Sequence, residues 1–85
     1  MEHGLDQLPL HARARVTGLN PASDAQERGI VRRLLEIGFL PGEPVRVVAR
    51  GGLGGEPIAV RVGQATFALR RREASLVTVQ REAAQ

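Results

Sequence analysis

Residues 34–48, with the sequence LLEIGFLPGEPVRVV, change from a helical pattern to a strand pattern within a few positions. The first half continues an apolar spacing of three and four residues, which predicts a helix with one buried side. The second half alternates, which predicts a half-buried strand. Gly38 can close the helix in a left-handed conformation, and Pro41 with Gly42 suits a type II turn. We therefore expect a single helix that is folded back sharply to deliver a strand.

The helix before this turn has two candidate starts. Ser23 with Gln26 can form a capping box, and Asp24 with Glu27 offers the same arrangement one residue later. Helical spacing defines the side expected to be buried: Ile30, Leu34 and Ile37, with Val31 and Leu35 beside them. The other side carries charged residues: Arg28, Arg32, Arg33 and Glu36. The pattern predicts an amphipathic helix with an arginine-rich outer side.

Short alternating segments predict five strands in all, at 12–16, from residue 44, and at 58–62, 65–69 and 76–79. Gly63 and Gln64 have the right length and type for a two-residue hairpin turn, whereas the glycine-rich segment 51–56 is expected to be a flexible loop. Strands this short favour a barrel, which leaves few exposed edges. The predicted fold is mainly β, a small five-stranded barrel with one α-helix inserted between the first two strands.

The chain has 85 residues and suits one domain. Residues 1–11 are expected to form an N-terminal arm, 12–80 the domain, and 81–85 a frayed tail. Without cysteine, disulfides and thiolate metal sites are excluded. No apolar run approaches the roughly 20 residues that cross a bilayer, and the N-terminus lacks the features of a signal peptide. These observations predict a cytoplasmic protein that does not insert into membranes.

All 12 basic residues are arginine, and the net charge is +3. Because nine acidic residues are interleaved with them, a solvated face is favoured over a polyanion site, including at Arg70, Arg71 and Arg72. Single-stranded nucleic acids are usually stacked on aromatic side chains, and the chain has neither Tyr nor Trp. Nucleic-acid binding is therefore not expected, although a small basic nucleic-acid-binding barrel stays an alternative.

Four segments, in order and at the right spacing, resemble the FeoA family. They are a helix ending in leucines and a Gly-hydrophobic-x-Pro-Gly turn, both in RRLLEIGFLPGEPVRVV, a Gly-x-Pro loop in GLGGEPIAVRV, and LRxxEA before the last strand in FALRRREASLVTV. The resemblance covers about residues 12–79. His11 departs from the pattern, since the family often has glycine in a turn there. The resemblance implies an SH3-like barrel that acts in ferrous iron uptake by contact with the FeoB GTPase-permease on its cytosolic side. It also implies kinship with the C-terminal domain of diphtheria-toxin-repressor-type metalloregulators, so a metal-responsive regulatory module is a second alternative.

A partner protein is expected to bind exposed residues around the helix. Leu40 lies in the middle of a tight turn, and Leu53 lies in the glycine-rich segment. With the helix arginines Arg28 and Arg32, these leucines form the predicted partner-binding set. An exposed barrel edge or apolar loop could also support a weak homodimer.

Chemistry has few candidate residues. No Ser lies in an evident arrangement with His and an acid, and the acidic residues are scattered, so no catalytic residue and no enzymatic activity are predicted. The two histidines lie in the arm near two carboxylates, which gives one possible ligand set for Fe(II) or Zn(II): His11, His3, Asp6 and Glu2. We expect no required cofactor, and any bound metal to be peripheral.

Overall fold

The computed structural model describes residues 2–82, without the side chain of Leu53. The strands are β1 (Glu2–Gly4), β2 (Arg13–Leu19), β3 (Pro44–Leu53), β4 (Glu56–Val62), β5 (Ala65–Leu69) and β6 (Val77–Arg81). The helices are α1 (Ala25–Ile37) and the short α2 (Arg71–Ser75), and a 3-10 helix covers Leu5–Gln7. The six strands form one antiparallel sheet in the order β1-β6-β2-β3-β4-β5. The mainly β class is confirmed, with six strands instead of five.

Strand β1 is the addition that the sequence pattern did not predict. Its three residues pair with β6, from Glu2 opposite Gln80 to Gly4 opposite Thr78. Leu5 and Leu8, which follow β1, are fully buried. The predicted arm therefore contributes both a strand and core side chains, and α1 lies between the second and third strands.

Aliphatic side chains fill the interior of the curled sheet. Alternate strand positions point inward, as predicted, and the core gathers residues from every strand except β1. Its largest fully buried side chains are Phe39, Leu5, Leu8, Leu34, Leu69, Val16, Val47, Val60, Val77 and Val79. Within residues 2–82, no charged or polar residue is buried. Apolar packing therefore holds the described strands around the core.

The glycine-rich segment forms a hairpin, so the prediction that residues 51–56 are a loop is wrong. Strand β3 continues to Leu53, and a two-residue turn at Gly54 and Gly55 leads directly into β4. Both turn glycines have positive φ, +67° and +75°. From α2, the Arg71 side chain donates to the Gly54 carbonyl oxygen at 2.6 Å, which ties down the tip.

Helix α1 starts and ends as predicted. Of the two candidate caps, Asp24 is the N-cap, and its carboxylate accepts a hydrogen bond from the Glu27 N–H at 2.8 Å. Gly38 has a φ of +124°, and its N–H donates to the last carbonyl groups of the helix. Gly42 has a φ of +91°, and its N–H donates to the Val16 carbonyl at 2.8 Å. The turn after α1 is therefore fastened to β2, which fixes where the helix lies.

Candidate functional site

The outer side of α1 carries an exposed leucine between arginines. Leu34 is 1% exposed and anchors the helix on the core, with Ile30, Val31 and Ile37 partly buried around it. Leu35, which the sequence places beside the buried side, is 43% exposed. One residue turns an α-helix by 100°, and this rotation carries Leu35 away from Leu34 and toward the arginines.

Residues of this outer side line a shallow recess of about 360 Å³. The recess is lined by Ala22, Arg28, Val31, Arg32, Leu35 and Glu36. We call it the α1 recess. Val31 and Leu35 supply an apolar surface, and two guanidinium groups and one carboxylate stand around it. Among residues 2–82, neither Arg28 nor Arg32 forms an ion pair. The arrangement leaves apolar area and positive charge available to a partner.

The structure brings together two of the four predicted partner-binding residues, Arg28 and Arg32. Leu40 is 46% exposed on the turn after α1 but does not line the recess. The side chain of Leu53 lies outside the described residues. Sequence reasoning missed Leu35, although its angular position on a helical wheel, next to Arg28, was a usable signal.

Two ion pairs join α1 to α2. Arg33 Nη1 lies 3.4 Å from Glu73 Oε2, and Arg72 Nη2 lies 3.6 Å from Glu27 Oε2. Glu27 also accepts hydrogen bonds from the Ser23 N–H and hydroxyl, at 3.0 and 2.8 Å. These Ser23 bonds, with the Arg72 charge, lower the pKa of Glu27 below its ordinary value of 4.5. The start of the helix is thereby tied to α2, while its outer side stays open.

The fold and the order of its elements can be compared with known proteins. The sequence model of the protein family described as the FeoA domain matches residues 3–81 of this chain. The chain belongs to the FeoA family. The family resemblance and the SH3-like fold predicted from the sequence are thus confirmed, while curated proteins give no match.

Solved structures agree with the assignment to FeoA. FeoA of Stenotrophomonas maltophilia is 49% identical, with 94% of this chain and 89% of that chain covered and a TM-score of 0.76. That protein was crystallised with zinc and is described as a procaryotic SH3 domain protein suggested to activate bacterial ferrous iron transport. FeoA of Chlorobium tepidum is 29% identical over 96% of this chain and 72% of that chain, with a TM-score of 0.79.

The same fold occurs in larger proteins. A manganese-dependent transcriptional repressor is 22% identical, with 95% of this chain and 42% of that chain covered and a TM-score of 0.77. This likeness concerns the fold alone.

In the part of the chain that the structure describes, no helix is long and apolar enough to span a bilayer.

The predicted metal ligands of this FeoA chain are not gathered into a site. His3 lies in β1 opposite Val79, and His11 is an exposed turn residue with a φ of +70°. The positive φ of His11 is a conformation that glycine adopts more readily than other residues. Between residues 2 and 82, no three His, Asp or Glu side chains lie close enough to hold a metal ion. Metal binding by His11, His3, Asp6 and Glu2 stays a prediction.

Proposed function

We propose that this chain is a non-enzymatic accessory protein of bacterial ferrous iron uptake that acts in the cytoplasm. It binds the cytosolic part of a FeoB-type ferrous iron permease through the α1 recess and the neighbouring Leu40. Membership of the FeoA family supports the pathway, and so does the ferrous iron transport role suggested for the relative that is 49% identical.

The observation that carries this proposal is the exposed Leu35 in the α1 recess. Protein interfaces combine an apolar centre with arginine and a polar rim, and a few such residues supply most of the affinity. Leu35 and Val31 supply the centre, and Arg28 and Arg32 are placed to pair with carboxylates of the partner. Leu40 adds a second exposed leucine just after the helix.

Binding alone is enough to regulate a permease. A protein that binds one conformation of its partner tenfold more tightly than another shifts the equilibrium between them by about 1.4 kcal/mol. The packing of Leu34 in the core suits this role, because it holds α1 against the sheet before the partner arrives and so reduces the ordering cost of binding.

The test is a titration of the chain against the cytosolic part of a FeoB-type permease, with and without guanine nucleotide. We expect Leu35→Gln to weaken binding by about tenfold or more, since it removes an exposed apolar side chain that the partner would bury. We also expect Arg28→Gln with Arg32→Gln to slow association, most clearly at low salt. The matched control is Leu10→Gln, because Leu10 is 47% exposed and does not line the recess.

Absence of binding in both nucleotide states would contradict the proposed function. If Leu35→Gln and Leu10→Gln bind the permease with equal affinity, the permease would still be the partner, but the α1 recess would be rejected as the contact surface.

A further inference from the structure

A second group of arginines lies on the sheet, away from α1. Arg13 and Arg15 on β2, Arg46 on β3 and Arg61 on β4 line a recess of about 400 Å³. We call it the arginine recess. Along the strands these residues alternate with inward-facing residues that are buried, Ala14, Val45 and Val62. The arginines therefore stand on the outer surface of the sheet.

Three of these arginines form a row across the sheet. Arg13 pairs directly with Arg46, and Arg46 pairs directly with Arg61. Neighbouring strands lie about 4.8 Å apart, so the backbone positions of the three arginines span about 10 Å. Like charges directly opposite each other destabilise an antiparallel pair. The row thus opposes folding, and an anion bound across it would remove the repulsion.

The chain supplies little negative charge to this row. Glu82 is the acidic residue that lines the recess, and its carboxylate lies 3.4 Å from Arg15. Arg15 also donates to the Gly42 carbonyl at 2.9 Å, so it is engaged within the protein. Over residues 2–82, the side chains of Arg13, Arg46 and Arg61 make no ion pair and no hydrogen bond.

We propose that the arginine recess binds a compact polyphosphate anion across Arg13, Arg46 and Arg61. Guanidinium groups match phosphate oxygens in pairs, and a volume of 400 Å³ lies within the range of small-ligand sites. A chain of two or three phosphates carries several negative charges over a span comparable to the row. Of the residues that the structure describes, no aromatic one lines the recess, so recognition is directed at the phosphates and not at a stacked base.

The experiment is isothermal titration calorimetry of the full chain with sodium tripolyphosphate over a salt series. We expect binding that weakens as salt rises, since the contacts are between charges. The variant Arg13→Gln with Arg46→Gln should bind about tenfold or more weakly, because it removes two charge-assisted contacts. The control Arg70→Gln with Arg81→Gln removes the same charge from residues that do not line the recess, and it should bind within about twofold of the original chain.

A thermal melt with each variant checks folding. Tripolyphosphate should raise the melting temperature of the original chain and of the control, but not that of Arg13→Gln with Arg46→Gln. If that double variant does not fold, Arg61→Gln alone should weaken binding by about threefold or more, since it removes one of the three contacts. A parallel titration with ATP shows whether the phosphates belong to a nucleotide or to free polyphosphate. Arginine-dependent binding of ATP would identify the triphosphate of a nucleotide as the ligand. Binding of tripolyphosphate without binding of ATP would identify free polyphosphate.

Four results would overturn the proposal. The first is no binding at about 1 mM tripolyphosphate in low salt, and the second is a loss of affinity in the control variant equal to that of Arg13→Gln with Arg46→Gln. The third is binding of citrate as tight as that of tripolyphosphate. The fourth is arginine-dependent binding of a short DNA duplex that is tighter than the binding of tripolyphosphate. Citrate binding would indicate a site for carboxylates such as an acidic protein segment, and duplex binding would indicate a nucleic-acid site.

Discussion

Residue 51 is restricted to glycine because strand β4 approaches its backbone closely. A Cβ atom at Gly51 would lie 1.9 Å from the carbonyl oxygen of Glu56, which is far inside contact distance. At the next residue, Gly52, a Cβ atom would meet nothing within 4 Å. The sequence offers four glycines in this segment with no sign of which one is indispensable.

We therefore expect Gly51→Ala to destabilise the protein by about 1–3 kcal/mol, because the backbone of the hairpin must shift to admit the methyl group. Gly52→Ala is the control, and it should change the free energy of unfolding by less than about 1 kcal/mol, in either direction. Urea denaturation of both variants measures the difference. Similar losses of stability in the two would contradict the close approach of the strands.

At the level of elements, helix α1 was the most predictable part of the chain. Its caps and its closing turn are local chemistry, and residues 23–42 carry all the information for them. Its burial pattern was less predictable, since a helical wheel leaves Leu35 at the boundary and the packing of Leu34 decides the outcome. The ion pairs with α2 join residues about 40 positions apart, and no local pattern marks them.

The bonds from Ser23 to Glu27 give the helix a dependence on pH. They lower the pKa of Glu27 in the folded chain, so the ionised carboxylate stabilises the fold above its ordinary pKa of 4.5. This contribution is lost as the pH falls through the lower pKa of the folded state. We expect the melting temperature of the original chain to exceed that of Glu27→Gln at neutral pH, and the gap to narrow below about pH 4.5. A gap that stays constant down to pH 2.5 would contradict the lowered pKa.

At the scale of the whole molecule, alternation predicted the class and five of the six strands. Strand β1 could not be found in this way, because three residues are too few to show a period and its partner β6 lies at the far end of the chain. The arginine recess was equally hidden. Arg13, Arg46 and Arg61 look like scattered surface charges until the strand register places them side by side.

Burial of Leu5 makes the N-terminal segment part of the core, and this can be measured. Leu5→Ala should lower the free energy of unfolding by about 2.7–5 kcal/mol, as expected for a leucine removed from a packed interior. Leu10→Ala removes the same atoms from an exposed position and should cost less than about 0.5 kcal/mol. Chemical denaturation compares the two, and a small effect of Leu5→Ala would mean that β1 and the residues after it detach easily.

The pairing of Glu2 with Gln80 brings the beginning and the end of the described chain side by side. The first and last described strands are therefore neighbours in the sheet, and a linker of a few residues would be long enough to connect them. New ends could then be opened at the exposed turn formed by Gly63 and Gln64. A circular permutant made in this way would keep every strand pairing of the native sheet, while β5 and β6 would be synthesised before β1.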